Sequence, residues 1–99
     1  MISDPEIKLW SDFDTVCQSA EAEYKQAVAR AAWERDQVIN LPAANWQVRD
    51  RVTAAAEARY GRKEQAAQTT RDEKCKRAEG ALSNGLDARE AEERRNKGL

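Results

Sequence analysis

The chain of 99 residues has room for one domain, so we expect residues 1–99 to form a single helical domain. Charged side chains make up 35% of it and the formal net charge is −1, which excludes the bulk basic excess typical of nucleic-acid-binding proteins. No apolar run approaches the roughly 20 residues that a membrane span needs, and the acidic start lacks the positive region of a secretory signal. These features predict a cytoplasmic protein.

The composition is typical of long helices that are exposed to solvent. Alanine, glutamate, lysine, arginine and glutamine dominate, β-branched residues are sparse, and no stretch alternates between apolar and polar residues with period two. The sequence therefore predicts an all-α fold. We expect a long antiparallel helical hairpin, with helices over about 4–40 and 46–83, followed by a short C-terminal helix.

The first helix is predicted to begin at Ser3 or Asp4, because Ser3 and Glu6 form a capping-box pattern and Pro5 suits a first helical turn. No glycine or proline interrupts residues 6–40. Mostly apolar side chains recur there with spacings of three and four residues, which predicts a heptad stripe that faces the second helix. The stripe comprises Trp10, Phe13, Cys17, Ala20, Tyr24, Ala27, Ala31 and Val38.

The break between the helices is predicted at residues 40–45. Pro42 cannot continue the first helix without loss of a backbone hydrogen bond. Either Asn40 or Asn45 is a suitable N-cap for the second helix. Because this connection is short, the two helices are expected to lie antiparallel. The apolar stripe of the second helix, over residues 46–83, is thinner than that of the first.

Glycines mark two further features of the second half of the chain. Gly61 lies inside the second helix, where glycine costs about 1 kcal/mol relative to alanine and favours a bend. Asn84 and Gly85 form a pattern typical of a helix C-terminus. Beyond them, residues 86–99 are expected to form a charged C-terminal helix or tail. A helix over about 88–96 has almost no apolar face, so we expect it to be exposed or frayed.

Two short segments recur at an offset of 36 residues. Residues 20–24 (AEAEY) recur as residues 56–60 (AEARY), and residues 35–37 (RDQ) recur as residues 71–73 (RDE). Thirty-six residues make about ten turns of an α-helix, so matching side chains keep the same face. The repeat is either a chance similarity in a chain rich in alanine, glutamate and arginine, or the trace of a duplicated helical unit.

No set of residues in the chain has the pattern of a catalytic or metal-binding site. Histidine is absent, and acidic pairs such as Asp12 and Asp14 stand two residues apart, on different faces of a helix. We therefore predict that the protein is not an enzyme and uses no metal, cofactor or small-molecule substrate. Cys17 and Cys75 come nearly opposite each other if the hairpin folds at residue 46, and they miss by about one helical turn if it folds nearer residue 43. They are either two buried reduced thiols or a possible disulfide at the open end.

Tryptophan and basic side chains are the candidate contacts for a partner. These candidates are Trp33, Trp46, Arg59, Arg62 and Lys63. Trp10 is expected in the interface between the helices, whereas Trp33 and Trp46 fall near the turn. There the two rings either pack on each other or form an exposed binding hot spot. The basic run continues from these residues through Arg71, Lys74, Lys76 and Arg77 and is a candidate for phosphate contacts. Its members spread around the helix and alternate with acids, which argues against nucleic acid.

The opening segment, Ser3-Asp4-Pro5-Glu6-Ile7-Lys8-Leu9-Trp10, and the highly charged, helical composition resemble the anti-RecBCD proteins of lambdoid phages. These are small phage-encoded inhibitors of host nuclease complexes. The resemblance implies a non-enzymatic protein-binding module that acts in the host cytoplasm, binds a host protein complex and modulates its exonuclease activity. The alternative is a structural homo-oligomer in which two hairpins form a four-helix bundle, because a lone two-helix hairpin buries little apolar surface.

Overall fold

The computed structural model describes residues 4–98, and within that range the chain forms two α-helices and no strand. Helix α1 is Asp4–Ile39 and helix α2 is Trp46–Lys97. The two helices pack along each other as a long antiparallel hairpin, which confirms the predicted fold class. The predicted cap at Ser3 lies outside the described residues. Neither helix contains a segment long and apolar enough to cross a membrane.

The interface between the helices is narrow and is built on alanine. The molecule measures 82 × 16 × 12 Å. The buried residues among those described are Ala20, Ala31, Ala56 and Ala78. Because alanine carries only a methyl group, it lets two helix backbones approach closely, but it removes little apolar surface from water. The hairpin is therefore a thin rod with a shallow core.

Side chains that face the opposite helix recur every eleven residues. In α1 these series are Leu9, Ala20 and Ala31; Phe13, Tyr24 and Arg35; and Cys17, Val28 and Ile39. In α2 they are Ala56, Ala67, Ala78 and Arg89; and Tyr60, Arg71 and Leu82. The predicted heptad period is therefore wrong: of the predicted stripe, Trp10, Ala27 and Val38 lie exposed, whereas its other members lie in the interface, namely Phe13, Cys17, Ala20, Tyr24 and Ala31. A heptad has 3.5 residues per turn and drifts off the face of a straight α-helix, whereas eleven residues give about 3.67 per turn and follow it.

Helix α2 does not stop at Asn84 and Gly85, so the separate short C-terminal helix and the boundary at residue 86 were wrong predictions. No glycine in residues 4–98 has a positive φ, and α2 also continues through Gly61. The physical reason at Gly85 is a tertiary contact. A Cβ atom at this position would lie 2.6 Å from Leu9 Cδ2, so the glycine makes room for the leucine of α1. Packing holds α2 together where local propensity favours an end.

The turn resolves the choice between the two candidate caps. Asn45 is the N-cap of α2, with its side chain accepting a hydrogen bond of 2.9 Å from the Val48 backbone N–H. Asn40 instead continues the last turn of α1, since its backbone N–H donates to the carbonyl oxygen of Asp36 at 3.0 Å. Pro42 lies between them, outside both helices.

The internal repeat extends over most of both helices and relates them by an approximate two-fold axis. When residues 10–39 are aligned with residues 46–75, ten of the thirty positions are identical. The contacts between the helices repeat with the roles of the helices exchanged. Arg71 stacks on the Tyr24 ring at 4.3 Å, and Arg35 stacks on the Tyr60 ring at 4.5 Å. The sequence repeat and the contacts between the helices therefore follow the same offset of 36 residues.

Candidate partner-binding site

Large apolar side chains lie exposed at the turn end of the rod. Eight such side chains are exposed among the described residues, and five of them fall within residues 33–48. These five are Trp33, Val38, Leu41, Trp46 and Val48, which we call the turn-end patch. Trp46 is 70% exposed and Trp33 is 63% exposed. Exposed indole rings at this density are unusual for a surface that meets only water.

The largest feature beside the turn-end patch is a hollow of about 470 Å³ between the two helices, which we call the Trp33 hollow. Its floor is formed by small and aromatic groups of the interface, and its rim by longer polar side chains. The lining residues used below are Ala31, Trp33, Val38, Ala56, Arg59, Tyr60 and Lys63. A mixed lining of this kind offers an apolar surface together with hydrogen-bond donors.

Charges on the rim of the Trp33 hollow are partly paired. Lys63 donates a hydrogen bond to the Glu34 carboxylate across the helices. This bond and the lysine charge lower the pKa of Glu34 below its ordinary value, and Arg59 adds a weaker effect of the same sign. Arg59 forms no ion pair with any residue between 4 and 98, so its guanidinium stays available to an incoming carboxylate.

The tyrosine on the floor is held in place by its neighbours. Arg35 lies over the Tyr60 ring, a cation–π contact that fixes both side chains. Burial raises the pKa of Tyr60, with a smaller contribution of the same sign from its hydrogen bond to Glu64. The phenol therefore stays neutral at physiological pH and contributes a rigid aromatic surface to the hollow.

The approximate two-fold axis relates the Trp33 hollow to a smaller hollow of about 220 Å³ nearer the open end. Four positions are identical in the two hollows: Ala20 and Ala56, Tyr24 and Tyr60, Ala67 and Ala31, Arg71 and Arg35. The rims differ: Glu23, Ala27, Thr69 and Thr70 correspond to Arg59, Lys63, Trp33 and Glu34. The two hollows thus share four identical lining residues. Of the two, only the hollow near the turn carries the Trp33 indole and the Arg59 and Lys63 cations on its rim.

The structure brings together three of the five candidate partner contacts and separates the other two. Trp33, Arg59 and Lys63 line the same hollow. Trp46 lies at the start of α2 and Arg62 is exposed on that helix, neither of them in the lining of the hollow. All five stay predicted contacts. Tyr60, which stacks with Arg35, was not among the predicted contacts, although its match to Tyr24 at an offset of 36 residues indicated a structural role.

The tryptophans do not behave as a packed pair. Between residues 4 and 98 the aromatic ring contact is that of Trp10 with Phe13, at 6.2 Å between ring centroids. The possibility that Trp33 and Trp46 pack on each other is therefore wrong, because both rings remain largely exposed. Trp10 was expected inside the helix interface and is instead 48% exposed. The eleven-residue periodicity places Leu9, one position earlier, in the interface.

The two cysteines meet across the hairpin, as their positions about the turn predict. Both are half-buried free thiols. Burial raises the pKa of Cys17, and its hydrogen bond to the Cys75 thiol acts in the same direction. The two thiols are therefore adjacent across the hairpin, an arrangement that favours a disulfide within one chain.

The remaining features of the turn end are small. A hollow of about 130 Å³ at the turn is lined by Leu41, Pro42, Val48 and Val52 among others, so two members of the turn-end patch share it.

Within residues 4–98 no group of three or more acidic or cysteine side chains is arranged to hold a metal ion. Comparisons with protein families, with curated proteins and with solved structures found no match to the chain.

Proposed function

We propose that the protein works without catalysis, as a module that binds another protein through the turn-end patch. The observation that carries this proposal is the clustering of five of the eight exposed large apolar side chains within residues 33–48. Aromatic side chains that are exposed in the free protein and buried on association dominate the binding energy of protein interfaces. The other three, Ile7, Trp10 and Val16, lie in the first half of α1, where Ile7 and Trp10 line a hollow of about 510 Å³.

The Trp33 hollow indicates what the partner brings to this end. Its floor suits one apolar or aromatic side chain, and Arg59 on its rim suits a carboxylate next to that side chain. The partner segment is therefore acidic and carries a large apolar residue. Leu41 and Trp46 beside the turn extend the contact beyond the hollow.

A matched pair of tryptophans allows a direct test. Trp10 and Trp46 occupy equivalent positions of the repeat and are both exposed, but they lie near opposite ends of the rod. A photoreactive phenylalanine analogue placed at position 46 should cross-link a partner that the same analogue at position 10 does not. Once that partner is purified, Trp46→Ser should weaken its affinity about 30-fold, or about 2 kcal/mol, while Trp10→Ser leaves it unchanged.

The two tryptophan variants distinguish the turn end from the open end as the binding surface. If Trp10→Ser abolishes binding and Trp46→Ser does not, the partner surface is at the open end and the turn-end patch is not the site. Circular dichroism of both variants checks that helicity is retained. Since both indoles are exposed, neither substitution should unfold the hairpin.

The resemblance of the opening segment to anti-RecBCD proteins supports a narrower version, in which the partner is a host nuclease complex. This version is tested with purified RecBCD and linear double-stranded DNA. Stoichiometric amounts of the protein should slow DNA degradation, and the Trp46→Ser variant should do so only at higher concentration. Undiminished degradation at a large molar excess would remove the narrower version and leave the general one in place.

A further inference from the structure

The solvent side of α1, opposite its interface with α2, carries no charge between residues 7 and 40, although Asp4 stands at the start of the same strip. Ten consecutive positions of the outward face are exposed and uncharged in a chain of which 35% is charged. They are Ile7, Ser11, Thr15, Gln18, Ala22, Gln26, Ala29, Trp33, Gln37 and Asn40, which we call the uncharged face. Their spacings of three and four residues follow the eleven-residue repeat, so they form one straight strip.

The equivalent strip of α2 is an internal control for this observation. At an offset of 36 residues, the ten matching positions include Arg51, Arg62, Glu73 and Lys76. An ordinary solvated helix surface carries such charges. The two strips occupy equivalent positions of the repeat and of the hairpin, yet of the two only the α1 strip has no charged residue at these ten positions. Exposure to solvent does not explain the difference, because both strips face solvent.

The chemistry of the uncharged face is self-complementary. Serine, threonine, glutamine and asparagine each carry both a donor and an acceptor, so such a side chain is able to hydrogen-bond with a copy of itself. A charged side chain repels its own copy. Ala22 and Ala29 let a second helix approach closely, and Ile7 and Trp33 add apolar area. A face with these properties fits a second copy of the same face in register.

The two edges of the uncharged face decide the direction of pairing. One edge carries Lys8 and Arg30, and the other carries Asp14, Lys25 and Asp36. In a parallel pair each edge lies beside the opposite edge of the partner, so Lys8 and Arg30 lie beside the edge on which Asp14 and Asp36 outnumber Lys25. In an antiparallel pair like edges meet. We propose that two copies of the chain associate through the uncharged face, with the two α1 helices parallel and in register.

This dimer differs from a compact four-helix bundle. It buries Trp33, so in the dimer the partner contact proposed above rests on Leu41, Trp46 and Val48 of the turn-end patch. The two α1 helices lie in the centre and the α2 helices outside, in a flat row. Both turn-end patches then lie at the same end. Two weak contacts to a partner that has two sites are thereby combined, which raises the apparent affinity without any new contact.

A matched set of charge insertions tests the surface. Ala22→Glu with Ala29→Glu places carboxylates on the uncharged face, and Ala58→Glu with Gln65→Glu places them at the equivalent positions of α2. The native chain and the α2 variant should have twice the 11.2 kDa chain mass in sedimentation equilibrium at tens of micromolar, and the α1 variant should have the chain mass. A monomeric native chain, or equal loss in both variants, overturns the proposal.

Cross-linking tests the direction independently of any folding defect. In a background of Cys17→Ser and Cys75→Ser, single cysteines are placed by Ser11→Cys and by Gln37→Cys. Parallel pairing in register predicts that each variant alone forms a disulfide dimer under mild oxidation, while Gln47→Cys, at the position equivalent to Ser11, does not. Cross-links that appear only when the first two variants are mixed show an antiparallel pair and refute the proposed arrangement.

Discussion

At Gly85, the absence of a side chain keeps α1 and α2 in contact near the open end of the rod. Leu9 of α1 occupies the space where a Cβ would stand, with Cδ2 at 2.6 Å and Cδ1 at 3.1 Å from that position. No atom lies within 4 Å of a Cβ built on Gly61 or Gly80. Gly85 is therefore packed against α1, whereas Gly61 and Gly80 are not, although glycine disfavours a helix at all three positions.

Alanine substitutions separate these consequences. Gly61→Ala and Gly80→Ala should each stabilise the protein by about 1 kcal/mol, because alanine is the better helix former and no neighbour is disturbed. Gly85→Ala should stabilise it less or not at all, since Leu9 must move away. Urea unfolding of the three variants gives the ranking. An equal gain at all three positions would show that the Leu9 contact has no energetic weight.

The Glu34–Lys63 pair gives a pH dependence with a definite sign. The folded pKa of Glu34 lies below its ordinary value of 4.5, so the carboxylate stabilises the fold above about pH 4.5 and loses this contribution as the pH falls through the folded pKa. Glu34→Gln should therefore lower stability at neutral pH and cost progressively less in acid. Lys63→Met is the control, since it removes the same pair from the other side. A cost of Glu34→Gln that does not vary with pH would contradict this assignment.

Residue-level prediction was best where the side chain itself carries the property. Trp33, Arg59 and Lys63 were identified as candidate contacts because exposed tryptophans and basic groups bind partners, and the structure places all three in one hollow. Tyr60 was missed because its role comes from its position opposite Arg35 on the other helix. Such a role depends on the register between helices, and the helical periodicity of one segment does not specify it.

At the scale of the helices, the two arms were predictable but the end of the second was not. A long uninterrupted pattern without glycine or proline sets α1, and Asn45 provides the N-cap of α2. The pattern at residues 84–85 has the chemistry of a helix end, yet α2 runs on to Lys97. Leu82, Leu86 and Arg89 remain half-buried against α1, so tertiary packing outweighs the local signal there.

Two truncations test how far α2 supports α1. Deletion of residues 91–99 removes only exposed positions among those described, and it should change stability little. Deletion of residues 84–99 also removes Gly85 and Leu86 from the interface, so the first turns of α1 should fray. Amide hydrogen exchange over residues 5–13 should then accelerate by about tenfold or more, equivalent to about 1.4 kcal/mol of local stability. Unchanged protection after the longer deletion would make the predicted separate tail correct in solution.

At the scale of the whole molecule, the short sequence repeat corresponds to a repeated contact between the helices. The two recurring segments at an offset of 36 residues contain the tyrosines and arginines that stack across the hairpin. The sequence alone left chance and duplication open, because a biased composition produces similar matches. The structure adds that these matching residues make the same stacked contact with the helices exchanged.

The paired thiols lie near the middle of the rod, where a disulfide would join α1 to α2. Oxidised glutathione should join Cys17 to Cys75 within one chain, and the reaction should be slow at neutral pH and faster as the pH rises, because the pKa of Cys17 is raised. Closing so long a loop should stabilise the fold by about 3 to 5 kcal/mol in the chain-entropy estimate. Thermal unfolding with and without reductant measures the gain, and Cys17→Ser is the control. Cross-links between chains instead of within one would contradict the observed pairing.

The eleven-residue spacing of the interface makes the length of the rod adjustable in fixed steps. Removing residues 20–30 from α1 and residues 65–75 from α2 takes out one complete layer from each arm and leaves every remaining side chain on its original face. The shortened rod should keep its Arg35–Tyr60 stack and lose about 16 Å of its length, at 1.5 Å per residue. The distance between the turn and the open end of the hairpin is therefore set in steps of one eleven-residue layer.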